Sequence, residues 1–138
     1  MSITNDIRRG RSCVFLLHVH LVFVTKYRRN IFRNEHLDFL KMEFERVAKD
    51  FGCFLKEMNG EGDHVHLLID YPPKVAVSRL TNSLKGVSSR MLKKAYSEMH
   101  RYYWKGNLWS PSYFAGSCGG APLEVIKQYI ENQSRPKN

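Results

Sequence analysis

The stretch Cys53–Tyr71, CFLKEMNGEGDHVHLLIDY, contains the strongest fold signal in this chain of 138 residues. Two short apolar runs, Cys53–Met58 and His64–Tyr71, flank the segment Asn59–Asp63, whose glycine, asparagine and acidic residues favour a turn. The pair Pro72–Pro73 then ends the second run, because proline has no amide hydrogen to donate to a sheet. The stretch therefore predicts a β-hairpin.

Helical and extended patterns alternate on both sides of this hairpin. Before it, a β-branched and aromatic run over Cys13–Thr25 predicts a strand, and apolar residues at three-and-four spacing predict a helix over Glu35–Phe51. After it, Val75–Met99 has a long helical stripe, Leu108–Ser117 has the aromatic content typical of a strand, and a short helix opens at Pro122. The order β-α-β-β-α-β with a terminal helix predicts an α+β, ferredoxin-like fold, an antiparallel sheet with two helices on one face.

The composition fits one basic domain. Hydrophobic residues make up 43% of the chain, with only 9 Gly and 5 Pro, which excludes a disordered or fibrous protein. The 22 Lys and Arg against 13 Asp and Glu give a net charge of +9, which favours a polyanionic partner, nucleic acid ahead of an anionic membrane surface. We divide this single domain into an N-terminal arm (1–12), a core (13–118) and a terminal helix (121–134).

Cysteine usage and hydropathy bear on the compartment. Cys13, Cys53 and Cys118 are far apart and show no CxxC spacing, so neither a disulfide framework nor a zinc ribbon is predicted. The apolar run Cys13–Val24 is interrupted by histidines and is too short to span a bilayer. We therefore expect a protein of the reducing cytoplasm, with no signal peptide and no membrane helix.

A pair of histidines lies in the second strand of the hairpin. Side chains on a strand alternate with period two, so His64 and His66 share one face while Val65, Leu67 and Ile69 point into the core. Two imidazoles on one face can hold a divalent metal through one nitrogen each. Two ligands are too few for a closed structural site, which implies an open, catalytic metal position.

A second pair of histidines has the same spacing, so the spacing alone is weak evidence for a metal site. His18–Val19–His20 lies on the first predicted strand without a preceding loop of acids and glycines. We interpret His20 as a packing or hydrogen-bonded residue and leave the role of His18 open. The hairpin pair, in contrast, follows two carboxylates, Glu61 and Asp63.

The terminal helix presents a phenol and an amide side by side. Tyr129 and Gln133 are four residues apart and share a face that differs from the apolar stripe of Val125, Ile126 and Ile130. A tyrosine with a pKa of about 10 is a weak nucleophile, but a metal that polarises a phosphate makes its attack feasible. The alternative is a half-buried core tyrosine beside a solvated glutamine.

A set of segments between Leu17 and Gln133 carries a family resemblance. In order they are HLVF (20–23), KYRR (26–29), GDHVHLLI (62–69), LKGVSSR (84–90), NLWSPSYF (107–114), GGAPL (119–123) and QYIENQ (128–133). The set resembles the TnpA single-strand transposases of the insertion-sequence 200/605 family, which are HUH enzymes with a single catalytic tyrosine. One departure is Cys118, where the family favours a β-branched residue; a packed cysteine behaves as a small apolar group.

The resemblance implies a DNA transposase that acts as a homodimer. Such an enzyme binds imperfect hairpins near the ends of a mobile element and cleaves single-stranded DNA beside them. Carried over to this chain, His64 and His66 are ligands for Mg²⁺ or Mn²⁺, Tyr129 is the nucleophile, and Gln133 is a further metal ligand once the terminal helix has docked. Cleavage then gives a 5′-phosphotyrosine and a free 3′-OH, so neither ATP nor another nucleotide cofactor is needed.

The resemblance further implies composite active sites, in which the histidines of one subunit meet the tyrosine helix of the other. Gly119–Gly120 is the expected flexible joint of that helix. Two alternatives stay open: an HUH replication or mobilisation nickase, and a non-catalytic ferredoxin-like module that binds nucleic acid. As phosphate contacts we select the basic residues Lys26, Arg28, Arg29, Lys85 and Arg90.

Overall fold

The computed structural model describes residues 7–103, 106–117 and 123–133. Its strands are Arg8–Arg9 (β1), Val14–Phe15 (β2), His18–Val24 (β3), Phe54–Gly60 (β4), His64–Asp70 (β5) and Phe114–Ser117 (β6). Its α-helices are Asn34–Asp50 (α1), Val77–Ala95 (α2), His100–Tyr103 (α3) and Leu123–Glu131 (α4).

The main sheet confirms the predicted ferredoxin-like architecture. Its strands lie in the order β4-β5-β3-β6, and every neighbouring pair is antiparallel. In this register Val22 of β3 lies opposite His66 of β5 on one side and opposite Phe114 of β6 on the other. The predicted hairpin is therefore β4 and β5, and β5 stands at the centre of the sheet.

The core lies between this sheet and the helices α1 and α2. Phe23 of β3 meets Phe44 of α1 and Trp109 edge-on, with ring centroids 5.9 and 5.7 Å apart. The other large members of the core come from alternate positions of the strands and from the helix stripes: Leu21, Leu67, Ile69, Leu40, Leu80, Leu84 and Leu92. Because alternate strand residues point to opposite faces, the remaining side chains of β3 and β5 lie on the face of the sheet away from α1 and α2.

Helix α4 lies against that second face. Val22 and Val24 of β3 are fully buried there, packed against Phe114, Tyr129 and Ile130. The helix that carries the predicted nucleophile therefore shares a sheet face with the histidines of β5.

The strand predicted over Cys13–Thr25 is divided in two. Its first part, β2, leaves the main sheet and pairs with β1, so that Arg8 lies opposite Phe15. The Arg8 guanidinium fastens this small hairpin to the core, because it donates to Asp70 Oδ1 at 2.8 Å and to the Gly52 carbonyl at 3.0 Å. The described part of the N-terminal arm is thus a structural extension at one end of β5.

The strand predicted over Leu108–Ser117 is wrong in its first half, and β6 begins at Phe114. Trp109 makes one bridge to Thr25 and then turns its indole under α2, where it is 1% exposed. Pro111 follows and has no amide hydrogen for a ladder. The aromatic content of this segment reflects a buried tryptophan rather than a continuous strand.

Helix α2 ends at Ala95 instead of continuing to Met99. A 3₁₀ turn over Ser97–Met99 redirects the chain and places Met99 in the core at 1% exposure. The predicted joint Gly119–Gly120 and the predicted helix start at Pro122 lie outside the described residues. Within the described ranges, no helix combines the length and the apolar character that crossing a membrane requires.

Candidate active site

The alternation of β5 places the two histidines as predicted. Val65 and Leu67 are 0% and 1% exposed in the core, so His64 and His66 point to the opposite face. Their rings are nearly parallel, with an interplanar angle of 21° and centroids 6.1 Å apart. The β-strand geometry alone therefore sets the two imidazoles side by side.

The histidines open onto a cleft of about 610 Å³. The loop after β3 and the hairpin turn form one wall, and α4 forms the other. The lining residues are Arg28, Asn30, Glu61, Gly62, Asp63, His64 and His66 from the core, and Lys127, Ile130 and Glu131 from α4. The cleft is open to solvent and mixes cations, carboxylates and imidazoles, which suits a charged substrate and a metal ion.

Asp63 fixes the tautomer of the first histidine. Its Oδ1 lies 2.9 Å from Nδ1 of His64, and a carboxylate is an acceptor, so Nδ1 carries the hydrogen and donates it. The lone pair of the neutral ring is then on Nε2. A carboxylate that orients a metal-binding histidine in this way is a common feature of metal sites, so the donor set fits a divalent cation.

Arg28 supports that carboxylate from the other side. Its Nε lies 3.5 Å from Asp63 Oδ2, and its guanidinium also donates to the carbonyl of Glu131 in α4 at 3.3 Å. Both Tyr27 and Arg28 have left-handed backbone angles, with φ of 65° and 53°. Non-glycine residues rarely adopt this conformation, and here it turns the Arg28 side chain into the cleft.

The second histidine is held in its neutral form. Burial lowers the pKa of His66, and the nearby rings of His64 and His20 lower it further. A neutral imidazole is the metal-binding form. His20 thus influences the site electrostatically, whereas His18 lies at the other end of the sheet face, with Nε2 3.8 Å from Asp70 Oδ2.

Tyr129 is close to this cleft, but its hydroxyl points elsewhere. The ring packs on Phe114 with centroids 5.8 Å apart, and Oη lies 2.9 Å from Oγ of Ser112. Burial raises the pKa of Tyr129, and the hydrogen bond with Ser112 opposes that rise. The phenol is therefore protonated at neutral pH.

Gln133 accompanies the tyrosine on the same helix face, as predicted. Its Oε1 accepts hydrogen bonds from Ser110 and Ser112, both at 3.3 Å, and its Nε2 donates to the Tyr129 carbonyl at 3.2 Å. The structure thus brings the histidines together and brings the tyrosine and glutamine together. Within one chain, the two pairs lie on different sides of α4.

The predicted phosphate contacts fall into two groups. The inward-facing group comprises Arg28 and Lys85. The ammonium of Lys85 donates to the carbonyls of Ser110, Pro111 and Ser112, with Nζ–O distances of 2.7, 3.3 and 3.2 Å. The second group comprises Lys26, Arg29 and Arg90. Of these, Arg90 is exposed on α2, while Lys26 and Arg29 are half-buried around the Tyr27 ring, 5.6 and 5.3 Å from its centroid.

Ser110 and Ser112 were not among the residues selected from the sequence. Serine is too common for its position alone to mark a site, and both lie in a segment expected to form a regular strand. Their hydroxyls contact Gln133 and Tyr129 of the α4 segment, which lies more than 15 residues further along the chain. Their occurrence in the NLWSPSYF segment (107–114) was the available signal.

Another histidine cluster in the described residues has the composition of a metal site but not its chemistry. Glu35, His36 and Glu98 bring three potential ligand atoms within 4.8 Å of one another. However, Nδ1 of His36 accepts the amide hydrogen of Arg33 at 3.0 Å, so the neutral ring carries its hydrogen on Nε2, which faces Glu98 at 3.4 Å. This cluster caps α1 and ties it to the turn after α2.

Comparisons with known proteins identify the family of this chain. The family model described as "Transposase IS200 like" matches residues 13–133. The ISDra2 transposase TnpA of Deinococcus radiodurans is 34% identical over 128 residues, which cover 93% of this chain and 91% of that protein. The transposase for insertion sequence element IS200 of Salmonella typhimurium is 30% identical over 114 residues, covering 83% of this chain and 74% of that protein.

Solved structures give the same result at the level of the fold. A crystal structure of a Deinococcus radiodurans protein assigned as a transposase superposes with a TM-score of 0.87 at 34% identity, covering 94% of this chain and 99% of that one. A REP-associated tyrosine transposase bound to a REP hairpin has a TM-score of 0.55 at 12% identity, covering 91% and 70%, and shares the fold alone. With its family match extending from β2 to the end of the tyrosine helix, this chain belongs to the IS200-like transposases, enzymes that cleave DNA and transfer its strands.

Proposed function

We propose that this transposase binds DNA hairpins at the ends of an insertion sequence and cleaves and rejoins single-stranded DNA through a 5′-phosphotyrosine at Tyr129. The observation that carries the proposal is the pair His64 and His66, with the tautomer of His64 set by Asp63, facing a cleft walled by the helix of Tyr129. A non-catalytic binding module has no need of such a pair. The family match favours a transposase over a replication nickase.

His64 and His66 would hold Mg²⁺ or Mn²⁺ through their outward-facing nitrogens, and Gln133 would add its amide oxygen after α4 has rearranged. A divalent cation bound there supplies positive charge that polarises the phosphate and offsets the charge that develops on it. Asp63 and Arg28 keep the His64 ring in place while the substrate enters.

The proposed chemistry conserves the phosphodiester bond energy. The Tyr129 hydroxyl loses its proton as its oxygen bonds to phosphorus, and the bond from phosphorus to the 3′ oxygen breaks, so that oxygen leaves as a 3′-OH. In the second step, a 3′-OH attacks the phosphotyrosine, and Tyr129 recovers its proton as the leaving group. One bond forms and one breaks in each step, so no nucleotide cofactor is consumed.

We further propose a homodimer with shared active sites. In one chain, the face of α4 with Tyr129 and Gln133 contacts Ser110 and Ser112, while another face of the helix lines the histidine cleft. A site completed by the tyrosine helix of a second subunit reconciles that separation with the chemistry.

DNA would bind across the rim of the cleft. Lys26 and Arg29 lie in the loop after β3, next to Arg28 of the cleft wall, whereas Arg90 is exposed on α2, which packs on the opposite face of the sheet. The net charge of +9 supplies the long-range attraction for a phosphate backbone. We propose Lys26 and Arg29 as phosphate contacts beside the cleft and Arg90 as a phosphate contact away from it, with Arg28 nearest to the scissile phosphate.

The covalent step is tested with labelled single-stranded DNA that contains a hairpin, incubated with Mg²⁺ or Mn²⁺ and analysed on a denaturing gel. Wild type is expected to form a protein–DNA adduct that Tyr129→Phe does not form and that EDTA prevents. Tyr102→Phe changes a tyrosine that is 36% exposed; it is the matched control and is expected to form the adduct as wild type does. An adduct that persists in Tyr129→Phe would overturn the role of Tyr129.

A further inference from the structure

The segment Ser110–Ser112 forms a bulge between two points of attachment to the sheet. On one side, the Ser110 amide donates to the Val24 carbonyl at 2.8 Å, and on the other side the ladder of β6 begins at Phe114. Three successive carbonyl oxygens of the bulge accept from a side chain instead of from a neighbouring strand. Carbonyl oxygens that converge on a single cation hold such a bulge in one shape.

Lys85 is the donor for all three carbonyls. Its ammonium has three hydrogens, and the carbonyl oxygens of Ser110, Pro111 and Ser112 lie 2.7, 3.3 and 3.2 Å from Nζ. The side chain is half-buried beneath the bulge, and this burial lowers the pKa of its amine. The Lys85 charge is therefore directed into the protein, although the sequence suggested a phosphate contact.

The opposite side of the bulge holds the reactive helix. The Ser112 hydroxyl pairs with Tyr129 Oη at 2.9 Å, and the Ser110 and Ser112 hydroxyls both donate to Gln133 Oε1. The Ser110–Ser112 bulge is thus contacted from two directions. Its carbonyls bind Lys85, and its serine hydroxyls bind Tyr129 and Gln133.

We propose that Lys85 is a positioning residue: it shapes the Ser110–Ser112 bulge so that Ser112 holds the Tyr129 hydroxyl away from the histidine cleft. This inference rests on the proposed role of Tyr129 as the nucleophile. To reach a phosphate in the cleft, Tyr129 must give up its hydrogen bond with Ser112. The bond therefore slows the first turnover by the factor that one net hydrogen bond contributes, about fivefold.

The experiment measures the rate of first-turnover adduct formation at saturating hairpin DNA. Ser112→Ala and Lys85→Met are each expected to raise this rate about fivefold. Because Lys85 acts through the bulge, the double variant should be no faster than Ser112→Ala, whereas independent effects would multiply. Lys94→Met removes one charge from an exposed position of the same helix and is the matched control, with the wild-type rate.

A DNA-free measurement keeps this proposal separate from the proposed function. Protein labelled with 3-fluorotyrosine gives a ¹⁹F resonance for Tyr129, assigned by its loss in Tyr129→Phe. We expect Lys85→Met and Ser112→Ala to shift it and Lys94→Met to leave it unchanged. An unshifted resonance in Lys85→Met overturns the positioning role, whatever the adduct assay shows.

The salt dependence of DNA affinity distinguishes a positioning role of Lys85 from a phosphate contact. Each single-strand phosphate neutralised contributes about 0.7 to the slope of log affinity against log salt. We expect Lys85→Met to keep the wild-type slope. A slope reduced by about 0.7, with an unchanged rate at saturation, would make Lys85 a phosphate contact and overturn the positioning role.

Discussion

Asp63 orients the first of the two histidines that we propose as metal ligands. Through the 2.9 Å contact to Nδ1 of His64 it selects one tautomer of the ring, and through Oδ2 it pairs with Arg28 at 3.5 Å. The Coulomb attraction and the hydrogen bond therefore act on the same carboxylate. Removal of the Asp63 carboxylate would therefore affect both the orientation and the basicity of the His64 ring.

Asp63→Asn is expected to weaken Mn²⁺ binding about 10- to 100-fold, the usual loss when the partner of a metal-binding histidine is replaced. The affinity is measured by titrating Mn²⁺ and following its EPR signal. Asp38→Asn removes an equal charge from an exposed position of α1 and should bind Mn²⁺ as wild type does. Equal affinities for the two variants would mean that Asp63 does not support the metal site.

Tyr103 should make stability depend on alkaline pH. Its hydroxyl donates to the Lys26 carbonyl at 2.9 Å, and burial raises its pKa to about 12, above the value of about 10 in the unfolded chain. The contribution of Tyr103 is thus complete below the unfolded pKa and is lost as the pH rises through the folded pKa. Tyr103→Phe should cost about 1 kcal/mol of unfolding free energy at pH 8.

The difference between wild type and Tyr103→Phe should then shrink as the pH rises toward 12, because the variant has no phenol to ionise there. Urea unfolding near neutral and at alkaline pH gives both values. A difference that stays constant over this range would show that Tyr103 is not the group responsible.

At the scale of elements, α2 sets the path of the chain before β6. The Trp109 indole donates to Ser88 Oγ at 3.0 Å, and Ser89 Oγ accepts the Leu108 amide at 3.0 Å, so neighbouring residues of one helix fix the turn. Both serines are buried at 0% and 3% exposure. About one helical turn before these serines, Lys85 contacts the Ser110–Ser112 bulge of the same segment.

Ser88→Ala should destabilise the fold by about 1–3 kcal/mol, since it leaves a buried indole N–H without an acceptor. The free energy of unfolding is obtained from urea titrations followed by tryptophan fluorescence. Ser78→Ala lies on an exposed part of the same helix and should change stability by less than about 0.5 kcal/mol. If the two variants are equally stable, the Ser88 contact does not hold the turn.

The elements differ in how far the sequence could predict them. Helix α1 and the β4–β5 hairpin follow from local patterns, three-and-four spacing in one and turn residues between apolar runs in the other. The segment around Trp109 could not be predicted, because its path depends on serines of α2 that lie about 20 residues earlier. Local patterns indicated its burial but not the partner that buries it.

The same distinction applies to the candidate site. The placement of His64 and His66 follows from the period of a strand, and the shared face of Tyr129 and Gln133 follows from the period of a helix. The relation between the two pairs depends on how α4 packs against Val22, Val24 and Phe114, which is long-range packing. The contact of Tyr129 with Ser112 was therefore beyond reach of local patterns.

At the scale of the whole molecule, shared active sites make one prediction that no single-chain site makes. A dimer of one His64→Ala and one Tyr129→Phe subunit has one site with intact histidines and an intact tyrosine. Mixing the two inactive variants under subunit exchange should restore about a quarter of the wild-type adduct, given random reassortment of a symmetric dimer. Continued inactivity of the exchanged mixture would place both groups of a site on one chain.

The residue that becomes linked to DNA decides whether Tyr129 is the nucleophile. After reaction with hairpin DNA and nuclease trimming, the tryptic peptide Gln128–Lys137 is analysed by fragmentation mass spectrometry. We expect a nucleotide joined through its 5′-phosphate to Tyr129. A nucleotide on any other residue, or one attached through a 3′-phosphate, would contradict it.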